Sequence, residues 1–316
     1  RHTRSVSHSA EPLFRSRDMF RPFTERESDH ASGDVSVGLI SSQGTVKVPM
    51  GKKSLLTASL RATYINLLYS GWMEVDGSTL DYSFFDSNLT WTCNLDDRNV
   101  IMADAYWGRD NGGLMENSFV TDSRSICGND AESFHWIHDG KNGFEMKHTL
   151  YHSNSFTDVR MAHEGGKLKA PSSITDLGYK GNLEWKGLTL GLDALYHDFV
   201  LQSPVIDDSY ITTATETPHS DSWEYSAYSD YSVFLMDRLN LRVGLRGGLF
   251  LSKDERYRSL DPSFTATYYS TDNDWSLSLG LSQRHQYLFQ TGITGLGMPS
   301  EFWMPAHDRF KPQYNL

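Results

Sequence analysis

The chain alternates. In the run Leu239–Leu251 every odd position except Gly247 is a large aliphatic, while the even positions carry Asn240, Arg242, Gly244, Arg246, Gly248 and Phe250. The runs Leu188–Ala194 and Trp275–Arg284 repeat the pattern. A strand points successive side chains to opposite faces, so each run has one greasy face and one polar face. Helical spacing is hard to find anywhere along the sequence.

The alternating segments are long. They fall near 54–66, 81–94, 98–109, 131–139, 143–154, 173–185, 187–198, 222–236, 238–252, 262–272 and 274–287, with one more at 33–41. Most run about 9 to 15 residues, against a usual mode of about 5–6. Short polar turns join them in pairs at Pro49–Lys53, Asn94–Arg98, Asp139–Gly143, Trp185–Gly187, Met236–Arg238 and Thr271–Asp274. These turns recur roughly every 45 residues, the length of two long strands and a loop. Longer connections are expected at the opposite ends, around 67–80, 110–130, 155–172, 199–221 and 288–312. Short turns at one rim and long polar loops at the other predict an all-β fold, an antiparallel up-and-down transmembrane β-barrel. An ordinary β-sandwich or a propeller is the competing architecture, although propeller strands are short.

In such a barrel the apolar face meets lipid and the polar face lines the interior. Over 81–95 the outward set is then Phe85, Leu89, Trp91 and Cys93, and Asp86, Asn88, Thr90 and Thr92 point inward. The same phase turns Arg61, Asp104, Glu145, Lys147, Lys180, Glu184, Asp193, Glu224, Asp230, Arg242, Arg246 and Arg284 inward. Charges of both signs suit a solvated or plugged interior; facing lipid at mid-membrane each would cost about 2–4 kcal/mol. Aromatics gather near strand ends, as at Tyr106 and Trp107, Trp223 and Tyr225, or Tyr268 and Tyr269, where girdles at a lipid–water boundary belong.

Composition removes other classes. Asp and Glu total 40 against 29 Lys and Arg, a net charge of -11, and nucleic acid asks for a basic surface. No apolar run approaches the roughly 18 residues of a spanning helix. The 2 cysteines, Cys93 at the turn end of a strand and Cys127 in an expected loop at the other rim, make no disulfide framework and no zinc spacing. His148 and His152 share the outward face with Phe144, Met146 and Leu150, which reads as an interfacial pair rather than a metal site. There is no Gly-x-Ser-x-Gly elbow, no His-Glu-x-x-His and no phosphate loop, so no catalytic residue, metal ligand or cofactor is assigned.

One segment is more specific. Gly295–Pro305, containing Met298-Pro299-Ser300-Glu301-Phe302-Trp303-Met304-Pro305, is followed by Phe310-Lys311-Pro312-Gln313. Together they resemble the Leu-Pro-x-x-x-Trp-x-Pro and Lys-Pro-Gln pattern of TonB-dependent outer-membrane receptors of the Bacteroides type. Upstream, Leu55–Leu68, Tyr82–Leu89 and Arg98–Asp110 look like strands of the same barrels. The resemblance implies TonB-dependent active import of a scarce ligand: a siderophore, cobalamin, a metal complex or an oligosaccharide. It implies TonB as a partner through a plug, membrane lipid around the wall, a surface lipoprotein as an accessory, and no enzymatic activity. A full receptor of this kind has 22 strands and a plug. The expectation is therefore an incomplete barrel of about 12 strands, one partial domain over 1–316, with 1–32 an Arg-rich loop. The prolines of 299–312 are expected to exclude regular ladder pairing. Phe302 and Trp303 are the candidate ligand contacts. A passive porin and a secreted glycan-binding β-sandwich are the alternatives.

Overall fold

A computed structural model describes residues 30–69, 74–75, 77–116, 121–163, 166–201, 205–207, 212–213, 219–236, 238–253, 255–270, 274–292 and 301–316. Thirteen strands lie in hydrogen-bonded succession, each antiparallel to its sequence neighbour in an open, up-and-down sheet. In order they are β1 (Ser32–Val37), β2 (Ser41–Pro49), β3 (Ser54–Thr63), β5 (Ser78–Asn94), β6 (Asn99–Glu116), β7 (Thr121–Asp139) and β8 (Phe144–His163). The succession continues through β9 (Gly166–Trp185), β10 (Leu188–Val200), β13 (His219–Leu235), β14 (Leu239–Ser252), β15 (Arg256–Tyr269) and β16 (Ser276–Ser282). Short strands β4 (Glu74–Val75), β11 (Val205–Asp207) and β12 (Thr212–Thr213) pair at the margins, and helix α1 spans Ile65–Tyr69. Beyond the main sheet, β17 (Arg284–Gln286) pairs with β20 (Gln313–Asn315), and β18 (Leu288–Gly292) with β19 (Glu301–Pro305).

The all-β, up-and-down architecture agrees with the sequence, and so do the short turns at 49–53, 94–98, 139–143 and 185–187, while residue 237 and residues 271–273 of the other two lie outside the described residues. At Trp185–Leu188 the loop residues Lys186 (φ 48) and Gly187 (φ 85) both have positive φ, which gives the two-residue connection the twist of its strands. A Cβ on Gly187 would also lie 2.4 Å from the Ser232 carbonyl oxygen, so glycine is required twice over. At the β5–β6 turn, Asp96 accepts the amides of Arg98 (2.8 Å) and Asn99 (2.9 Å). These bonds, the Arg98 amide foremost, hold its carboxyl below the usual carboxylate range.

Several expectations are corrected. The single strand at 33–41 is instead the start of an antiparallel hairpin, β1 and β2, so the succession has one strand more than the twelve expected. The connections at 110–130 and 155–172 are mostly strand, because β6, β7, β8 and β9 run on to residues 116, 121, 163 and 166. Cys127 therefore sits in β7, and both cysteines are free thiols. Both faces of these extensions mix polar and apolar residues, which erases the alternation while the ladders persist. The strand expected at 274–287 stops at Ser282. There Gln283 donates to the Pro262 carbonyl at 3.0 Å, but Pro262 has no N–H to return, and the ladder with β15 ends. Nor do the prolines exclude pairing over 299–312. Pro305 closes the β18–β19 ribbon opposite Leu288, at a strand end where a missing donor is harmless, while Pro299 lies outside the described residues.

Candidate lumen-facing site

Register sorts the side chains. Phe85 pairs with Arg109, Leu150 with Tyr179, Leu192 with Gly181 and Ala227, and Val243 with Tyr231 and Phe264. Carried from strand to strand, this places Leu89, Trp91, Phe134, Leu177, Leu192, Leu245 and Leu279 on one face. Most of that face is bare, with Leu192 61% and Leu279 62% exposed. Trp136 stacks on His148 at 5.3 Å near the short-turn end, and His148 Nδ1 lies 2.7 Å from the Tyr179 hydroxyl. Trp223 stacks on Tyr225 at 5.7 Å toward the other end. No group of three or more His, Cys, Asp or Glu among the described residues is placed to hold a metal.

The opposite face carries the wall charges expected there, in the phase expected, and pairs several of them across strands, while the Arg109–Asp130 ion pair lies in the phase of the apolar face toward the long-connection end. Arg61 bonds Asp86 at 2.8 Å, and Arg246 bonds Asp193 at 2.8 Å, with the Ser226 hydroxyl donating to the same carboxylate at 3.0 Å. Arg242 lies 3.4 Å from Asp230, and His197 Nδ1 is 2.7 Å from Asp176. Asp104 accepts from Thr90 at 2.8 Å, while His135 lies 2.8 Å from Thr149. Arg284 leaves the wall with β17, so its expected place on the wall is replaced by one on the crossing segment.

Aromatic rings lock this face. Tyr228 lies over its cross-strand partner Gly191, where a Cβ would come within 2.0 Å of the ring. The Arg246 guanidinium sits over the same ring, 5.5 Å from its centroid. Tyr151 repeats the arrangement between Gly178 and the Lys180 ammonium, 5.3 Å from the ring. Each joint brings a glycine backbone, a ring and a cation together, so the glycines are needed for close approach rather than for flexibility.

An apolar shelf interrupts the polar face toward the long-connection end. Val159, Ile174, Phe199 and Phe250 are buried there, Phe199 and Phe250 at 0% exposure. Residues 284–292 and 301–316 cover it. Tyr287 stacks on Phe250 at 4.9 Å, Ala306 is buried beside them, and β19 lies against β9 and β13. His285 Nδ1 lies 2.5 Å from Asp261 of β15. Phe302 and Trp303 both fall on β19, opposite Thr291 and Gln290, and are half-buried. One signal of this shelf is present in the sequence: Phe250 breaks the Asn, Arg, Gly, Arg, Gly phase of its own strand.

No protein-family model matches the sequence, and comparison with curated proteins gives no match. Solved structures do match in fold. The ferric yersiniabactin uptake receptor of Yersinia pestis superposes with a TM-score of 0.61 at 11% identity, over 87% of this chain and 49% of that one. The siderophore receptor PirA of Acinetobacter baumannii gives 0.59 at 12% identity, over 92% and 50%. The ferripyoverdine receptor of the Pseudomonas aeruginosa outer membrane gives 0.58 at 12% identity, over 81% and 42%. The chain thus spans half or less of the length of these receptors.

Proposed function

We propose that this chain forms part of the wall of an outer-membrane receptor barrel that serves TonB-dependent active import of a scarce ligand. The carrying observation is the bare apolar face, repeated on strand after strand, behind a polar face whose charges are paired. A contiguous exposed apolar surface of this extent calls for a nonaqueous solvent or a partner. Its height suits a bilayer. From Leu188 to Tyr196 the apolar phase of β10 runs about eight residues, which at ~3.4 Å each and a tilt of about 40° rises about 21 Å, close to a lipid-facing band of about 25 Å. Aromatic clusters bound the band at both ends.

Fold likeness to siderophore receptors supports the receptor reading, and the Pro299–Gln313 pattern supports a Bacteroides-type member. On this reading the polar face lines the lumen, a plug and TonB supply the gating, and the wall performs no covalent chemistry. The cargo is a siderophore, cobalamin, a metal complex or an oligosaccharide, with Phe302 and Trp303 as candidate contacts and a surface lipoprotein as accessory. The test is uptake by cells expressing the full-length receptor, with and without TonB. Radiolabelled ferric siderophores, cobalamin and oligosaccharides serve as probes. The proposal expects accumulation of one probe class that disappears without TonB; accumulation indifferent to TonB would indicate a passive pore.

A further inference from the structure

We propose that residues 284–292 and 301–316 form a releasable latch on the polar face, docked chiefly by a small apolar cluster and a His–Asp pair, and poised to lift. The chain leaves the wall at Gln283, where the Pro262 break ends the ladder, and crosses the polar face as two short ribbons. Besides the contacts of β19 with β9 and β13, a cluster and an ion pair hold it down. Tyr287 stacks on Phe250, Ala306 packs beside them with its amide donating to the Tyr287 carbonyl at 2.7 Å, and His285 meets Asp261.

Beneath it, docking works against itself. β19 lies across β9 and β13, and β10 runs between those two strands, so the inward side chains of β10 sit under it. His197 of β10 and its cross-strand partner Ser222 of β13 are each 1% exposed. His197 Nδ1 is engaged by Asp176, but His197 Nε2 and the Ser222 hydroxyl have no hydrogen-bond partner among the described residues. A buried polar atom without a partner opposes burial, and lifting the latch would return both to water. An element held by a few contacts and opposed by others has two accessible arrangements, the property a gate over a lumen wall requires. Docking of the latch does not depend on the wall being a transporter's.

Amide exchange read by mass spectrometry on the full chain in detergent micelles tests it, comparing peptides from 284–292 and 301–310 with reference peptides from β5 and β6. Ser222→Ala removes one opposing group and is expected to slow exchange in the latch about threefold to tenfold, with the reference unchanged. Phe250→Ala removes the anchor and is expected to speed latch exchange at least about tenfold. If Phe250→Ala also loosens the reference, Tyr287→Ala, which alters only the latch, takes its place with the same two outcomes. Unchanged or faster latch exchange in Ser222→Ala would show that the hydroxyl does not oppose docking and would overturn the proposal. So would an anchor variant that leaves the latch as slow as the parent.

Discussion

Gly191 shows how single residues set this wall. It has an ordinary strand environment, yet Tyr228 fills the space where any side chain would begin. Gly191→Ala should therefore destabilise the sheet by about 1–3 kcal/mol, the usual cost of overpacking. The check is a urea midpoint in micelles. Adding Tyr228→Ala should remove most of the penalty, because the two residues share one clash and their effects cannot add independently. Little of this was legible beforehand. A glycine in a strand and a tyrosine some 37 residues away look unrelated until the register of β10 on β13 places them opposite each other. Apart from Arg284, the charged residues expected inward were legible for a simpler reason: each keeps the phase of its own strand, and phase is local. Their partners were not, since Asp193 finds Arg246 only through the intervening strand β13. Phe302 and Trp303 could be singled out as unusual in sequence, but their half-buried placement on β19 depends on long-range folding.

At the scale of the element, strands were readable wherever one face is greasy and the other polar. β10, β14 and the lower halves of β5 to β9 meet that condition. The upper parts of β6 to β9 do not, and they read as loops although their backbones continue in ladders. The end of β16 escaped for a different reason. Alternation continues past Ser282, and only the pairing of Gln283 with a proline on the neighbouring strand stops it. The two faces of one strand make the sharpest element-level prediction. Leu192→Arg on the bare face of β10 should cost about 2–4 kcal/mol in a bilayer. Thr189→Arg on the polar face, opposite Glu184, should cost little. Folding free energies of the two variants in lipid vesicles measure the difference directly, and equal costs would mean that the two faces share one environment.

The whole molecule inverts the arrangement of a water-soluble β protein. A sandwich buries the greasy faces of two sheets against each other; among the described residues there is one large sheet, with its Leu, Val and Trp side left bare. Buried apolar residues of the wall lie instead on the charged side, and Val159, Ile174, Phe199 and Phe250 lie under the segment that folds back across it. That inversion links sequence to proposed function, since it lets one strand pattern hold a lumen on one side and hydrocarbon on the other. The most direct measurement places a nitroxide at each position from 188 to 196 of β10, in bilayers, and compares collisions with oxygen, which enters lipid, against a water-soluble nickel chelate. The account predicts a period of two, with 190, 192 and 194 open to oxygen and closed to nickel. If nickel reaches both phases alike, or neither reagent reaches the even positions, that face does not meet lipid and the membrane-wall reading is contradicted.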